Sequence, residues 1–404
     1  MRPISTSAPV PHTDSVPRSV TGRGRWFWIL TGTAVSVGLG LGFGSLIFHA
    51  GTNDFGGEGP LRTLAARTIT ITKPVTSLSV ESYGDNIRII GKPVSQVTVT
   101  ETISYDPAQG GPPAVTHQDA RGLLTLAAPA CTNANCSVAF TVTVPSGVTV
   151  SAAGDGGAVT ISGTGAADVD SGGGPVIATG ISGPLNVTAE GGSVWASSAA
   201  AADIDSGGGP VTVSRIAGNL TVHAEGGSVS VASAGPADLD SGGGPVSATG
   251  ISGPLTVTAE GGGVNVTSAP GANIDSGGGP VTATEIQGPL TVSAEGGGID
   301  VDSVTGTLNA DTGGGPLNAT GVSSTAATVS ADGGGITMEF ITAPQTLMVT
   351  TGGGTAELSV PTAAYALTID TGGGPAAVGI ASSPSAPNTI SVNTDGGGLQ
   401  IGPA

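Results

Sequence analysis

From about residue 67 to the end of the chain, apolar and polar residues alternate in short bursts, and glycine or proline closes each burst. A period of two puts one side of an extended segment in a core and the other in water, so the bursts predict strands. In Leu220-Thr-Val-His-Ala-Glu225 the apolar residues 220, 222 and 224 share a face. After Gly226-Gly227, Val229 and Val231 do the same. Gly235-Pro236 marks a second turn, and Ala237-Asp-Leu-Asp240 opens the next burst. The unit therefore reads strand, turn, strand, turn. Glycine suits both turns because it tolerates positive φ.

The bursts repeat. Asp-Ser-Gly-Gly-Gly-Pro-Val places its first glycine at 172, 207, 242 and 277, steps of 35 residues. Ala-Glu-Gly-Gly interleaves with it, its first glycine at 191, 226, 261 and 296. Each unit thus holds two unequal sub-units, such as Gly172 to Gly191 and Gly191 to Gly207. Looser copies place turns at Gly156, Gly313, Gly333, Gly352, Gly372 and Gly396. One sub-unit cannot bury its small apolar face, whereas stacked copies share a continuous thin core. The expected fold is all-β: a Gly-rich β-solenoid, parallel β-helix-like, with an antiparallel roll of hairpins as the competing arrangement. Roughly fourteen turns at ~4.8 Å make a rod of roughly 65 Å. Gly398-Leu-Gln-Ile-Gly-Pro-Ala404 offers no helix to cover the edge of the last coil.

Residues 66–150 carry strand patterns without the repeat, such as Thr68-Ile-Thr-Ile-Thr72 and Phe140-Thr-Val-Thr-Val144. Cys131 and Cys136, the only two cysteines, lie between two of these strands. On the outer side of a membrane they predict a local disulfide. Two thiolates with no nearby His leave a tetrahedral zinc site half empty.

The N-terminal end has a different pattern. Trp26 to Phe48 is an uncharged run of 23 residues, long enough for the ~20 that cross a bilayer. Arg2, Arg18, Arg23 and Arg25 precede it, and Asp54 and Glu58 follow. The positive flank predicts an N-terminus inside a bacterial cytoplasmic membrane and everything after the helix outside. A cleaved signal peptide fits less well, because Phe48-His49-Ala50 lacks the small residue expected before a cut. Gly38/Gly42 and Gly40/Gly44 are spaced as in close-packed membrane helices, so a homodimer through the Gly38–Gly44 face is a candidate. The expected organisation is a basic tail at 1–25, a transmembrane helix at 26–48, a stalk at 49–65, a non-repeating β region at 66–150 and the solenoid at 151–404.

Composition changes this reading in two ways. Gly is 71 of 404 residues, about two and a half times the usual ~7% share, and aromatics are only 3%, so the core must be Val, Ile, Leu and Ala. Charge is lopsided: the net is −18, yet ahead of the apolar run the arginines outnumber the single acid, Asp14. Arg215 is the sole basic residue after Arg121, histidines aside. Such a surface repels nucleic acid and favours cations or basic partners. Asp170, Glu190, Asp205, Glu225, Asp240, Glu260, Asp275 and Glu295 each sit just before a glycine turn. Stacking would align them in one column or two, with like charges near each other, and bound Ca²⁺ would relieve the repulsion. The plainer reading makes them solvated turn-starting residues. No cofactor is otherwise indicated.

Catalytic patterns are thin. Asp-Ser-Gly at Asp170, Asp205, Asp240 and Asp275, and Asp-Thr-Gly at Asp311 and Asp370, resemble the triplets that pair carboxylates in aspartic proteases. Six copies at repeat spacing are better explained by the repeat. His12, His49, His117 and His223 are scattered. The chain reads as a non-enzyme.

The segment Cys131-Thr-Asn-Ala-Asn-Cys136-Ser-Val-Ala-Phe-Thr-Val-Thr-Val-Pro145, followed by Gly-punctuated Val/Thr strands, resembles the bacterial "putative adhesin" β-strand-repeat family, a domain of unknown function. The resemblance spans roughly residues 66–404. It implies a right-handed β-solenoid facing outward and an adhesive role, with no catalytic residues. Two functions compete: an adhesin-like module making multivalent contacts, and a structural spacer or envelope-stress sensing component.

Overall fold

The structure is a computed structural model that describes residues 61–128 and 136–404. The chain divides into Met1–Gly56 and Gly57–Ala404, and every described residue belongs to the second unit. The expected tail, the transmembrane helix at 26–48 and the Gly38–Gly44 face lie outside the described residues. Among the described residues every element is a strand, and no helix is long and apolar enough to cross a membrane.

The pairing is that of a parallel solenoid. Leu220–Ala224 lies between Val194–Ser206 and Ala237–Ser241, parallel to both. The next strand, Val229–Ala234, lies between Val211–Ile216 and Val246–Ile251, again parallel. Each strand thus pairs with the second strand after it, which builds two parallel ladders and excludes the roll of hairpins. Ladder A holds the strands that follow a glycine turn, such as Val229–Ala234. Ladder B holds those that precede one, such as Leu220–Ala224. Leu220 sits beside Ala237, and Ala237 beside Leu255, so successive coils are of nearly equal length. Glycine spacing suggests unequal ones because the two glycine phrases are out of phase. Glu190 N–H bonds Ser171 O, and Gly207 N–H bonds Ala189 O. Glu therefore occupies in one coil the level that the first glycine of the triplet occupies in the next.

The core is the row of inward Val, Ile, Leu and Ala side chains, for example Leu220, Val222 and Ala224 against Val229, Val231 and Ala234. Small β-branched residues suit it, since each stacks on its counterpart one coil away. Gly209 and Gly227 owe their identity to space. A Cβ on Gly209 would lie 2.1 Å from the Gly192 carbonyl oxygen, and one on Gly227 would lie 2.0 Å from that of Gly209. None of the glycines between Gly172 and Gly174 or between Gly207 and Gly209 has positive φ. From Gly163 to Gly321 positive φ is confined to the opposite corner. There Gly163, Gly180, Gly250 and Gly321 share one column with Ser198, Arg215, Ser233, Ser268, Glu285 and Ser303, the latter six at φ 55–62°.

At both ends chain order and stack order part. Ser77–Ser82 and Ile87–Lys92 form a coil held between the coil of Leu123–Ala127 with Cys136–Pro145 and the coil of Thr149–Gly154 with Val159–Ser162. Residues 66–150 thus supply coils of the same two ladders. They also cap them: Val97–Tyr105 lies antiparallel on Cys136–Pro145 and carries Arg67–Ile71, and Thr116–Ala120 lies antiparallel on Leu123–Ala127. At the other end, Asn388–Asn393 and Leu399–Pro403 sit between the coil of Thr346–Thr351 with Ala356–Val360 and the coil of Tyr365–Asp370 with Ala376–Val378. The open edge expected at Gly398–Ala404 is therefore at Tyr365–Val378, because the chain crosses back at 379–387, where Ser383 N–H bonds Tyr365 O at 2.8 Å. Twelve coils run in sequence order from Thr149–Gly154 to Ala356–Val360, and two more stack on each end. Sixteen rungs at ~4.8 Å span roughly 70 Å.

Candidate functional site

The outward residues of ladder B form two columns along the stack. In one rung they are Asp168 and Asp170, in the next Asn186 and Thr188, then Asp203 and Asp205, then Thr221 and His223, then Asp238 and Asp240. Asp275 continues the second column beside Thr258 and Ser293. An acidic rung thus alternates with a neutral one. Glu190, Glu225, Glu260 and Glu295 form a separate column in the glycine turn, bonded through their N–H groups to Ser171, Ser206, Ser241 and Ser276. Gly207, Gly242 and Gly277 occupy the intervening levels.

The acids expected to crowd one another therefore do so only weakly. Within each column they stand two rungs apart, ~10 Å, about a Debye length at 0.1 M salt. Among the described residues no three His, Cys, Asp or Glu side chains gather as a metal site would require. His223 and Asp240 meet across adjacent rungs, Nδ1 to Oδ2 at 2.9 Å, with both side chains about half exposed.

The Asp-Ser-Gly phrase has a structural explanation in each coil. The Asp points outward. The following Ser points inward, fully buried, and its hydroxyl donates to the carbonyl that closes the glycine turn: Ser171 to Gly174 at 2.8 Å, Ser241 to Gly244 at 2.8 Å and Ser276 to Gly279 at 2.9 Å. Thr351 and Thr394 do the same with Gly354 and Gly397. The hydroxyl satisfies a carbonyl that the turn leaves without a ladder partner. The repeat Asp residues are not brought together in pairs.

Three groups emerge that sequence reasoning passed over. Glu101 is buried at 3% exposure in the cap, with His117 Nε2 at 2.9 Å and an Arg67 guanidinium nitrogen at 3.5 Å. These side chains tie together three cap strands, which meets the need of a buried carboxylate for partners. The signal was Glu101 itself, in phase with inward Val97 and Val99. The other two are Trp195, 48% exposed on ladder A, and Arg215. The Arg215 side chain donates to Ser197 Oγ at 2.9 Å and Ser198 Oγ at 3.0 Å on the strand of Trp195. Cys136 is disulfide-bonded, and Cys131 lies outside the described residues.

No protein-family model and no curated protein matches the chain. Among solved structures it is similar to a putative adhesin from Parabacteroides merdae, at 14% identity and TM-score 0.22, covering 72% of this chain and 95% of that one. It is similar in the same way to a putative adhesin from Bacteroides fragilis, at 16% identity and TM-score 0.22, covering 69% and 97%. A putative cell adhesion protein from Clostridium sporogenes, at 8% identity and TM-score 0.16, covers 59% and 99%. Overlaps this loose carry no functional argument.

Proposed function

We propose that the chain is a non-enzymatic, membrane-anchored surface protein that binds adhesin-like through the repetitive acidic faces of its solenoid. The observation that carries this reading is the recurrence of outward Asp-x-Asp at Asp168/Asp170, Asp203/Asp205 and Asp238/Asp240, on every second rung of one ladder. A rigid ladder presents identical small clusters at a fixed interval. Weak contacts to a repetitive basic or cation-bridged partner then add through multivalency. The uncharged run Trp26 to Phe48 supports a single cytoplasmic-membrane anchor with the solenoid outside. In that compartment a Cys131–Cys136 disulfide is stable. The Gly38–Gly44 face offers a route to a homodimer, and crosslinking in membranes that yields only monomer removes it.

The test is co-sedimentation of the full chain with isolated bacterial envelopes, with and without Ca²⁺. Saturable binding supports the adhesive reading, and its dependence on Ca²⁺ decides whether Asp170, Glu190, Asp205, Glu225, Asp240, Glu260, Asp275 and Glu295 hold cations. Absence of binding by a folded sample favours the second reading, a structural spacer or envelope-stress sensing component. The observation behind that reading is the unbroken run of hydrogen-bonded coils.

A further inference from the structure

The outward side of ladder A differs from that of ladder B. Across seven consecutive strands, from Val176–Ala189 to Val281–Ile286, the outward positions that alternate with the core are all uncharged, in a chain of net charge −18. Most are Ser, Thr or Asn. Arg215 and Glu285 stand just beyond them, at the positive-φ corner, and Ser268 donates to Glu285 at the far end of the strip. Trp195, Arg215 and Glu285 are among the residues on this side that break the repeat. Trp195 has Ser230 and Asn265 at the equivalent positions of the next two units. Arg215 has Gly180 and Gly250 at the equivalent positions one unit before and one after.

Trp195 and Arg215 fall on adjacent strands. Trp195 lies beside Thr212, and Arg215 reaches back to Ser197 and Ser198, two and three residues from Trp195. Ser197 points outward yet is only 4% exposed, as an outward residue is when an arginine lies across it. Arg215 holds φ 55°, a conformation that disfavours side chains, in a column where the adjoining coils carry Ser198 and Ser233 and the equivalent positions one unit away carry glycine. The indole has no part in the core, and the guanidinium is paired with hydroxyls and, among the described residues, with no carboxylate. Beyond Thr212 the strip continues as a shallow cavity of about 350 Å³ between Pro245 and Pro280, lined by Ser230, Ser247, Asn265 and Thr282 but with a mostly apolar exposed surface.

We infer that ladder A is a binding face for a neutral polysaccharide, with Trp195 as its stacking platform. A pyranose ring has an apolar C–H face and a rim of hydroxyls. The first packs on an indole, and the second exchanges hydrogen bonds with Ser, Thr and Asn and with the three of five Arg215 donors that Ser197 and Ser198 leave over. An uncharged strip on an acidic rod selects an uncharged ligand, because a polyanion is repelled by the rest of the surface. The rung spacing of ~4.8 Å is close to the advance of one sugar in an extended chain, so successive rungs meet successive sugars. Ladder A and an uncharged ligand go beyond the acidic-face reading, which concerns ladder B and a basic or cation-bridged partner.

The test is affinity electrophoresis of the full, detergent-solubilised chain in native gels containing graded soluble galactomannan, xyloglucan or dextran, with polygalacturonate as the acidic comparison. W195S and R215G install the residues that sister coils carry at 230 and 250, and thermal unfolding checks that both remain folded. Retardation by at least one neutral polysaccharide is expected, weakened roughly five- to tenfold in W195S and less in R215G. The indole emission difference between wild type and W195S, which excludes Trp26 and Trp28, should shift on binding. Retardation by polygalacturonate alone, by no polysaccharide, or equally for wild type and W195S overturns the inference. Envelope co-sedimentation on the same samples separates the two readings: envelope binding without neutral-glycan retardation leaves the surface-binding reading standing and removes this one, and loss of both removes both.

Discussion

Gly208 and Gly209 are neighbours in one turn, yet a methyl group means different things at each. At Gly209 it would meet a carbonyl of the previous coil at 2.1 Å, whereas at Gly208 its nearest neighbour is 3.9 Å away. Gly209→Ala should therefore cost about 1–3 kcal/mol, the range for overpacking a tight site, and Gly208→Ala should stay within about 0.5 kcal/mol. Paired thermal melts compare them, and equal shifts would mean that the stacking distance is not what selects glycine. Tyr365 is the other residue with a defined outcome. It is fully buried, and desolvation raises its phenol above the ordinary pKa of 10.0. The fold favours the neutral phenol, so its contribution is complete below about pH 10 and is lost as pH rises through the raised folded value. Tyr365→Phe should flatten this alkaline loss in melts taken from roughly pH 8 to 11, while costing about 1 kcal/mol at neutral pH for the hydroxyl bonded to Pro361 O.

At the scale of elements, the last strands of the chain are an internal coil. Ending the chain at Pro387 removes Asn388–Asn393 and Leu399–Pro403 and strands the coil of Tyr365–Asp370 with Ala376–Val378 away from its partner. Amide exchange should then lose protection at Tyr365–Asp370 as well as at the new end, and keep it before Thr346, as nearest-neighbour coupling requires. Protection retained at Tyr365–Asp370 would mean that this strand finds another partner. The strands themselves were legible, because alternation and turn residues are local and period two leaves no choice of face. The buried Ser of Asp-Ser-Gly was legible only by parity, and the reason for its turn glycines was not, since contact between coils has no signature within one coil. Stack order at the ends was hidden for a related reason: many strands with the same inward Val, Ile and Ala make interchangeable neighbours, so pattern alone cannot say which two adjoin. Trp195 and Arg215 are visible as breaks in the repeat, but their placement on neighbouring strands depends on the rung register, with Trp195 beside Thr212, that glycine spacing misstates.

For the whole molecule, acids at ~10 Å intervals along three columns add up to a long-range field with little pairwise strain. Raising NaCl from about 0.01 to 0.15 M shortens the Debye length from ~30 to ~8 Å, and the melting temperature should rise by a few degrees as self-repulsion is screened. EDTA and millimolar Ca²⁺ at matched ionic strength discriminate a field from a site. Equal melting points indicate the field alone, and a rise specific to Ca²⁺ indicates ligation at the acid columns. The inverted order of coils at both ends also bears on how the chain is made. A chain emerging from its N-terminus cannot seat Ser77–Ser82 and Ile87–Lys92 fully until Ser162 has appeared, and cannot seat the coil of Tyr365–Asp370 until Pro403 has. The middle can zip up as it is synthesised, but both ends wait. A chain stalled before Pro403 leaves the coil of Tyr365–Asp370 without its ladder partner, open to proteases and chaperones, and the coil of Asn388–Asn393 with Leu399–Pro403 is then inserted between two older ones.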